Sequence, residues 1–368
     1  MLVMGYMSGT SLDGVDVALI ETDGERIDAF GPSAMIAFSA TERAVLERAT
    51  HEALAWDGQG EEPRSFALAA DVIEGAHVRA GFDVIARAGR RPDLIGFHGQ
   101  TLLHRPERKL SVQIGDPQVL ADALGISVVA QMRQDDLMAG GQGAPLVPAY
   151  HAALADRIGL DGPVAFLNLG GVANLTWIGA DGSLVAFDTG PGNGLIDQVV
   201  QAHGAGRYDD GGRIAAAGTV NRDVLTDLLS HAHFRGEGPK SLDRYDFPLE
   251  WAEACSLEDA AATLTAFTAE AVALSLRTLP QAPNVWVVCG GGSHNPTLMQ
   301  ALRDRLGDCR TADEVGLRSD FVEAEAMAFL AARSLRGLPL TFPGTTGVAR
   351  PLTGGTIWRP EPAALEVV

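Results

Sequence analysis

The chain has 368 residues, and its 28 Lys and Arg against 47 Asp and Glu leave a formal net charge of −19 at pH 7. This length exceeds what one hydrophobic core usually serves, so it predicts two domains. Hydrophobic residues at 46% and charged residues at 20% are typical of a globular protein and exclude a disordered one. The acidity argues against a nucleic-acid partner or an anionic membrane surface. An anionic cofactor such as ATP is compatible with it, because glycine-rich backbone amides hold phosphate without net positive charge.

The cysteines and the N-terminus indicate a cytoplasmic protein. Three cysteines, Cys255, Cys289 and Cys309, are too few and too scattered for a disulfide framework. The first residues lack the basic region and the cleavage site of a signal peptide. No stretch approaches the roughly 18 apolar residues of a membrane span. We therefore expect a soluble chain in a reducing compartment, with no membrane partner.

The first part of the chain alternates predicted strands and helices. It opens with a hairpin of two apolar strands, Leu2–Tyr6 and Val15–Ile20, joined by a turn-rich segment. The patterns then predict, in chain order, helix 41–54, helix 66–88, strand 94–97, strand 110–114, helix 119–124, strand 126–130 and, after a glycine-dense loop, helix 150–157. This alternation predicts an α/β architecture.

A second hairpin of the same kind begins about half a chain later. Its predicted strands are 164–167 and 173–178, joined by the turn Asn168–Val172. Strand 184–187, helix 258–279, strand 285–288, a helix after Pro296 and helix 321–335 complete the pattern. Two similar hairpins half a chain apart predict a duplicated fold.

Three glycine-rich turns each follow a predicted strand, at Gly9, at Gly170-Gly171 and at Gly290–Gly292. Small residues let backbone N–H groups approach phosphate oxygens closely. Any one of them is better explained by a tight turn in a chain with 43 glycines. Three together favour a nucleotide site. The P-loop, the G-x-G-x-x-G and the G-x-S-x-G motifs are all absent from the sequence.

Several longer segments, in order along nearly the whole chain, carry a family resemblance. They are Met7–Asp16, Gly96–Thr101, Gln113–Pro117, Gly140–Leu146, Asn168–Asn174, Asp188–Asn193 and Cys289–Pro296. With these segments the chain resembles the anhydro-N-acetylmuramic acid kinases. Ordered multi-residue blocks are far more specific than any single glycine motif.

The resemblance implies an α/β fold of two actin-like (ribonuclease H-like) domains with ATP in the cleft between them. We expect domain I to comprise residues 1–130 plus 321–368 and domain II to comprise residues 131–320. The implied reaction uses ATP and Mg²⁺ to open 1,6-anhydro-N-acetylmuramic acid hydrolytically and to phosphorylate O6. The product is N-acetylmuramic acid 6-phosphate, in peptidoglycan recycling. A homodimer is also implied by the resemblance alone.

The chemistry of this substrate requires a general base. An internal acetal has no free O6 hydroxyl, so water must attack C1 as O6 takes the γ-phosphate. Asp188 is our candidate, because it ends a predicted strand and opens a Gly-Pro-Gly-Asn loop, from which a carboxylate would project beyond the sheet edge. The alternative is that Asp188 only caps that loop as an Asx-turn residue.

The resemblance assigns the nucleotide-binding residues. These are Gly9, Thr10, Ser11, Leu12, Asp13, Gly14, Val15 and Asp16 in the first phosphate hairpin, Gly170 and Gly171 in the second, and Gly290, Gly291, Gly292 and Asn295 beside the adenosine. The wider superfamily usually carries Asp where this chain has Met7. The metal ligands therefore stay open. Asp13 and Asp16 are candidates, and solvation of a turn or strand edge explains them equally.

For the sugar, the resemblance assigns His98, Gln100, Thr101, Arg133 and Glu323. Neutral hydrogen-bonding groups suit hydroxyl and acetamido groups, and a guanidinium suits the lactyl carboxylate. The structural alternatives are a backbone-bonded core histidine at 98 and a solvated helix residue at 323. The family usually has Asp-Phe where Gln131-Met132 precede Arg133, which leaves the setting of that arginine open. A metal site at His98 and His104 is rejected, because no carboxylate or Cys completes it.

Two rival functions stay open on the sequence. One is a kinase of the same fold that acts on another anhydro-sugar such as levoglucosan. The other is a non-catalytic actin-like ATP switch, against which stand the lack of a separate peptide-binding domain and the setting of Asp188.

Overall fold

The structure is a computed structural model that describes residues 1–9, 11–235 and 247–362. Its strands are β1 (Leu2–Ser8), β2 (Gly14–Thr22), β3 (Ile27–Ala37), β4 (Leu94–Arg105), β5 (Leu110–Ile114), β6 (Val128–Ala130), β7 (Val164–Leu169), β8 (Val172–Ile178), β9 (Leu184–Pro191), β10 (Val285–Cys289), β11 (Cys309–Thr311) and β12 (Thr356–Trp358). Its helices are α1 (Ala40–Trp56), α2 (Ser65–Ala88), α3 (Pro117–Leu124), α4 (Gln134–Met138), α5 (Pro148–Arg157), α6 (Gly194–Ala202), α7 (Arg213–Ala217), α8 (Arg222–Leu229), α9 (Leu257–Ser275), α10 (Pro296–Leu306), α11 (Val322–Leu335) and α12 (Pro343–Thr346).

The chain divides into two compact units, Met1–Arg157 with Phe321–Val368, and Ile158–Asp320. Residues 131–157, which the sequence placed in domain II, lie in the first unit, so that boundary is corrected. The reason is long-range side-chain bonding. The Thr346 hydroxyl donates to buried Asp136 Oδ2 at 2.5 Å, and the Tyr150 hydroxyl donates to Glu325 Oε2 at 2.5 Å. Partners about 200 residues apart leave no local pattern in the sequence.

The first unit is built on a mixed seven-stranded sheet. Its order is β12-β6-β4-β1-β2-β3, and β5 pairs with β4 beside this path. β1 is antiparallel to β2 and parallel to β4, and β4 is parallel to β6. α1 and α2 link β3 to β4. Ser39 caps α1 and forms a capping box with Glu42, two residues before the predicted helix start at residue 41.

Helix α11 packs directly on the backbone of this sheet. Gly5 of β1 and Gly96 of β4 are register partners in the parallel pair. A Cβ on Gly5 would lie 2.0 Å from the Ala324 carbonyl oxygen, and one on Gly96 would lie 2.1 Å from that of Met327. Only glycine at both positions allows the C-terminal helix to approach so closely, which explains why 321–335 returns to the first unit.

The second unit repeats the strand order of the first. Its five-stranded sheet runs β11-β10-β7-β8-β9, with β7 antiparallel to β8 and parallel to β10. The order β3-β2-β1-β4-β6 of the first sheet corresponds to it strand for strand. This identity confirms the predicted duplication and the α/β class with two actin-like units. Among the helices of the described residues, none is long and apolar enough to cross a membrane.

Some elements escaped the sequence patterns. The segment Ile27–Ala37 was not predicted, because Gly31-Pro32 in its middle is a turn signal, yet it forms β3 through antiparallel pairing with β2. The edge strands β11 and β12 have three residues each, too few for a period to register. Short helices such as α7, with five residues, were missed for the same reason.

Candidate active site

The first hairpin tip is anchored to β4 by buried side chains. Ser8 ends β1 and pairs with Gln100 of β4. Its hydroxyl donates to Gln100 Oε1 at 2.8 Å, and Gln100 Nε2 donates to the Gly9 carbonyl at 3.3 Å. The same carbonyl accepts from the Leu12 N–H at 3.2 Å. Gln100 is only 1% exposed, so the structure directs this residue to the hairpin rather than to an open surface.

The other hairpin residues contribute mainly backbone. Leu12, at φ +55°, and Val15 are buried in the core of the first unit. Gly14 lies against β3, where a Cβ would meet the Ile36 carbonyl oxygen at 2.4 Å. Ser11 is exposed and Asp16 is half-buried in β2. Thr10 lies outside the described residues.

Asp13 is paired with the cation of Arg43, which no sequence pattern places near the hairpin. The Arg43 guanidinium, in the first turn of α1, donates to Asp13 Oδ1 at 3.2 Å. The Phe38 N–H also donates to the Asp13 carbonyl at 3.0 Å. Arg43 thus lies beside the first phosphate hairpin, and it offsets one of the two carboxylates there. No sequence pattern signalled it, because helix α1 and the hairpin meet only in the tertiary structure.

Both ring nitrogens of His98 are occupied. Arg133 Nη2 lies 2.5 Å from His98 Nε2, and His98 Nδ1 lies 2.8 Å from the Gly99 carbonyl. A guanidinium only donates, so Nε2 accepts and Nδ1 carries the proton. Desolvation, reinforced by Arg133, lowers the pKa of His98 to about 3. His98 is therefore a neutral, backbone-bonded residue, as the structural alternative had it.

Arg133 is a buried cation with spare donors. It is 9% exposed, and its Nε has no hydrogen-bond partner among the described residues. Desolvation lowers its pKa to about 10, which leaves it charged at neutral pH. Met132 is buried beside it, while Gln131 is exposed with φ +56°. Met132 therefore keeps a buried apolar side chain where the family has Phe, while the exposed Gln131 supplies no charge where the family has Asp.

A small cavity opens beside His98. Its volume is about 40 Å³, which suits one water molecule and not a sugar ring. It is lined by Phe97, His98, Gly99, Gln113, Ile114, Gly115, Pro117, Ala130 and Gln131. Thr101, in β4, is half-buried, and its Oγ1 has no hydrogen-bond partner among the described residues.

Glu323 lies in the first turn of α11, one turn before Met327, which contacts the His98 and Arg133 region. Its side chain has a solvent-accessible surface, yet protein surrounds it densely enough that desolvation raises the pKa of its carboxyl. An accessible carboxyl with a raised pKa is a common property of functional sites.

In the second unit, the second hairpin tip and the loop after β9 are joined backbone to backbone. The Asn193 N–H donates to the Gly170 carbonyl at 2.7 Å. The Gly192 and Gly194 N–H groups both donate to the Gly171 carbonyl, at 3.1 and 3.2 Å. A Cβ on Gly192 would lie 2.2 Å from the Gly170 oxygen, so glycine is required there.

The Gly290–Gly292 turn packs on the same loops. Gly290 has φ +78°, and a Cβ there would lie 2.3 Å from Asn168 Oδ1. A Cβ on Gly292 would lie 2.8 Å from Asn193 Oδ1. Asn295 caps α10 by accepting from the Leu298 N–H at 3.0 Å. The structure therefore brings together the second phosphate hairpin and the predicted adenosine turn.

Asp188 lies in β9 opposite Asn174, four residues before Gly192, where the loop that meets the hairpin tip begins. It is half-buried. His233 donates from Nε2 to the Asp188 carbonyl at 3.0 Å. Its position beside this strand depends on a loop some 45 residues away, so no sequence pattern could reveal it.

A further pair of acids lies next to these loops and was missed. Asp209 is 4% exposed and accepts from the Ile214 and Ala215 N–H groups at the start of α7, at 2.8 and 3.0 Å. Desolvation, with the charge of Asp209 added, raises the pKa of Asp197 in α6 to about 6. No hydrogen bond joins the Asp197 carboxyl to any residue that the structure describes.

The donor set limits how magnesium could be held. Across residues 1–9, 11–235 and 247–362, no three His, Cys, Asp or Glu side chains cluster as a metal site. Mg²⁺ commonly keeps several waters and binds through one or two carboxylates plus substrate phosphates. The residues present fit that mode, and they do not form a protein-only cage.

The chain is similar to a well-defined group of proteins. It matches the family described as anhydro-N-acetylmuramic acid kinase over residues 1–360. A protein of that name from Phenylobacterium zucineum is 51% identical, covering 98% of this chain and 100% of its own. Another from Rhodopseudomonas palustris is 48% identical, over 98% of this chain and 100% of its own.

Solved structures with broad coverage are more distant. The activator of 2-hydroxyisocaproyl-CoA dehydratase from Clostridium difficile, with bound ADPNP, is 12% identical, covers 91% of this chain and 96% of its own, and has a TM-score of 0.46. A ROK family glucokinase from Streptomyces griseus, in complex with glucose and AMPPNP, is 13% identical over 90% and 100%, with a TM-score of 0.41.

The family match spans nearly the whole chain, and the two relatives are about 50% identical to it over their full length. The chain belongs to the anhydro-N-acetylmuramic acid kinase family.

Proposed function

We propose that this chain uses ATP to open 1,6-anhydro-N-acetylmuramic acid by hydrolysis and to phosphorylate its O6. The names of the full-length relatives support the substrate. The observation that carries the mechanism is the position of Asp188, on the strand whose following loop bonds to the Gly170–Gly171 tip. A base and a phosphate-binding backbone are thus held by one short segment.

The reaction balances with one base and one water. Asp188 takes a proton from water as the water oxygen bonds to C1, and the C1–O6 bond breaks. The released O6 then bonds to the γ-phosphorus, the bond to the β-phosphate oxygen breaks, and ADP leaves. The products are N-acetylmuramic acid 6-phosphate and ADP, and the proton on Asp188 returns to solvent.

For ATP, we propose that Gly9–Asp16 and Gly170–Gly171 contact the phosphates and that Gly290–Gly292 with Asn295 borders the adenosine. The backbone-rich character of both hairpins supports this assignment. Mg²⁺ would be held largely by phosphate and water, with Asp13, which pairs with Arg43, and Asp16 as the candidate carboxylates of the hairpin.

For the sugar, we propose that Arg133, Thr101 and Glu323 make the direct contacts. Arg133 keeps an unpartnered Nε, and Thr101 keeps an unpartnered hydroxyl. His98 would act by orienting the guanidinium, because both of its nitrogens are already used.

We further propose a cytoplasmic homodimer that serves peptidoglycan recycling. The apolar side chains of Leu68 and Phe82 on α2, which are 60% and 54% exposed, support a subunit contact at that helix.

The deciding experiment is phosphoryl transfer from ATP to the anhydro-sugar in oxygen-18 water, with wild type, Asp188→Asn and a control variant. Asp161→Asn, an exposed acid of the same unit, is the matched control. We expect the label at C1 of the product, a 10²–10⁴-fold loss of kcat for Asp188→Asn and no change for the control, as befits loss of a general base.

Three outcomes would contradict the proposal. Product without the label would exclude attack of water at C1. Turnover of levoglucosan but not of the muramic acid would replace the substrate. ATP binding without turnover of any sugar would favour a non-catalytic switch.

A further inference from the structure

Gln100 directly follows a β-bulge in strand β4. Opposite the β1 segment Tyr6–Ser8, strand β4 carries one extra residue, because Tyr6 pairs with Phe97 while Ser8 pairs with Gln100. Gly99, at φ +70°, absorbs the bulge, and a Cβ there would lie 2.7 Å from the Ile114 carbonyl oxygen. A bulge changes which way the following side chain is directed. Here it places Gln100 beside the first hairpin.

The amide of Gln100 is fully engaged within the protein. Its Oε1 accepts from Ser8, and its Nε2 faces two carbonyl oxygens, those of Gly9 at 3.3 Å and of Thr101 at 3.4 Å. The reverse orientation would set the amide oxygen against both carbonyls, so the partners determine the orientation chemically. With 1% exposure, Gln100 has no face left for a ligand.

We propose that Gln100 is a positioning residue of the first phosphate hairpin and does not bind the sugar. The proposal rests on the proposed function only in assigning that hairpin to the phosphates of ATP. Gln100 fixes the Gly9 carbonyl, where the hairpin turn begins, and the Leu12 N–H closes the turn on the same oxygen. Without this bond, the turn would have to order itself when ATP binds, and that ordering would weaken binding.

This role also explains why Gln100 follows so soon after His98. The two residues are separated only by the bulge glycine on one strand. His98 contacts Arg133, and Gln100 contacts the hairpin. Strand β4 therefore supplies both the residue that orients the proposed sugar-binding arginine and the residue that orients the phosphate hairpin.

The test compares two glutamines on neighbouring strands. Gln100→Met keeps the size of the side chain and removes its bonds to Ser8 and Gly9. Gln113→Met is the matched control, because Gln113 Nε2 donates to the His98 carbonyl at 2.7 Å and contacts no hairpin residue in the described structure. Binding of MgATP is titrated calorimetrically without sugar, and KM is then measured for each substrate.

We expect Gln100→Met to weaken MgATP binding about tenfold and to raise the KM for ATP, while the KM for the sugar stays within about twofold, as loss of a buried hydrogen bond to the hairpin predicts. Ser8→Ala, which removes one of the bonds, should weaken binding about threefold and should add nothing to Gln100→Met in the double variant. Gln113→Met should leave MgATP binding unchanged. Ser8→Ala keeps the test decisive if Gln100→Met fails to fold.

A rise in the sugar KM with unchanged MgATP affinity would overturn the proposal and restore Gln100 as a sugar ligand. Unchanged constants for both substrates would overturn it as well. If the wild type binds MgATP but phosphorylates no anhydro-sugar, the proposed function fails while the effect of Gln100 on ATP binding is still measured. Absence of MgATP binding by the wild type would overturn both.

Discussion

The two units share one strand order but hold their loops by different means. In the first unit, polar side chains do so: Gln100 holds the hairpin tip, and Asp136 accepts from the Gly143 N–H at 2.6 Å and from Thr346. In the second unit, backbone groups meet directly, and Gly192 and Gly290 leave no room for a Cβ. The same topology therefore tolerates two solutions, one that depends on particular side chains and one that depends on their absence.

This difference has a consequence for substitution. A loop held by a side chain loses one or two hydrogen bonds when that residue changes. A loop held by close backbone contact must move when any side chain is added, whatever its chemistry. Within these loops, we therefore expect the largest effects in the second unit at glycines and in the first unit at buried polar residues.

The largest effect should come from Gly290→Ala. The new Cβ would lie 2.3 Å from Asn168 Oδ1 and 2.9 Å from the Leu169 carbonyl oxygen, at φ +78°. Left-handed strain and overpacking together should lower the free energy of unfolding by about 3 kcal/mol. Chemical denaturation measures this loss. Gly171→Ala is the control, because a Cβ there meets nothing within 4 Å, so its stability should be unchanged. Equal losses for the two variants would refute the backbone-contact explanation.

Asp136→Asn should have an intermediate effect. Both carboxylate oxygens of this 2% exposed residue accept hydrogen bonds. An amide oxygen can still accept from the Gly143 N–H, but the amide N–H can then only donate to the Thr346 hydroxyl. We expect a loss of about 2 kcal/mol in the free energy of unfolding, because neutral hydrogen bonds replace two bonds to a carboxylate. The neighbouring Asp135→Asn, at an exposed position, serves as the control and should change it by less than about 0.5 kcal/mol. If the two variants are indistinguishable, Asp136 does not anchor the loop.

The smallest effect, of opposite sign, should come from Asp197→Asn. Its pKa in the folded chain, raised to about 6, exceeds the ordinary value of 3.8, so the ionised carboxyl destabilises the fold above pH 6. That penalty disappears as the pH falls through 6 towards 3.8. The asparagine should therefore stabilise the chain at pH 8 by about 1 kcal/mol, a figure reduced for partial exposure. Urea titrations at pH 8, 6 and 4.5 measure it, and a gain that does not shrink with falling pH would contradict this origin.

Asp136 and Asp197 also show why the sequence could not distinguish acidic residues by their surroundings. Both are acids at the start of short helices, and neither has a local pattern that separates a satisfied carboxylate from an unsatisfied one. Asp136 is satisfied by Thr346, 210 residues away, and the pKa of Asp197 is raised by burial and then by the charge of Asp209, on a loop after its helix. Likewise, the contacts of Arg43 with Asp13 and of His233 with the Asp188 carbonyl are tertiary contacts with no local sequence pattern.

The regular strands and helices were far easier to predict from the sequence. The apolar hairpins around Gly9 and Gly170 and the long helices α2, α9 and α11 were predicted close to their observed bounds, because each carries its own period or turn residues over many positions. β3 was missed, since its pairing with β2 and not its composition makes it a strand. Of the predicted sugar residues, the structure occupies His98 and Gln100 with internal partners.

The sequence by itself determined the family, the duplicated α/β architecture and the positions of the glycine-rich turns, because these depend on local periodicity and on ordered motifs. Only the tertiary structure decided where the first unit ends, which carboxylates are neutralised, and that Gln100 faces the hairpin. These features depend on which side chains from distant parts of the chain come into contact. A buried polar contact is strong only where the fold brings both partners together and excludes water from them.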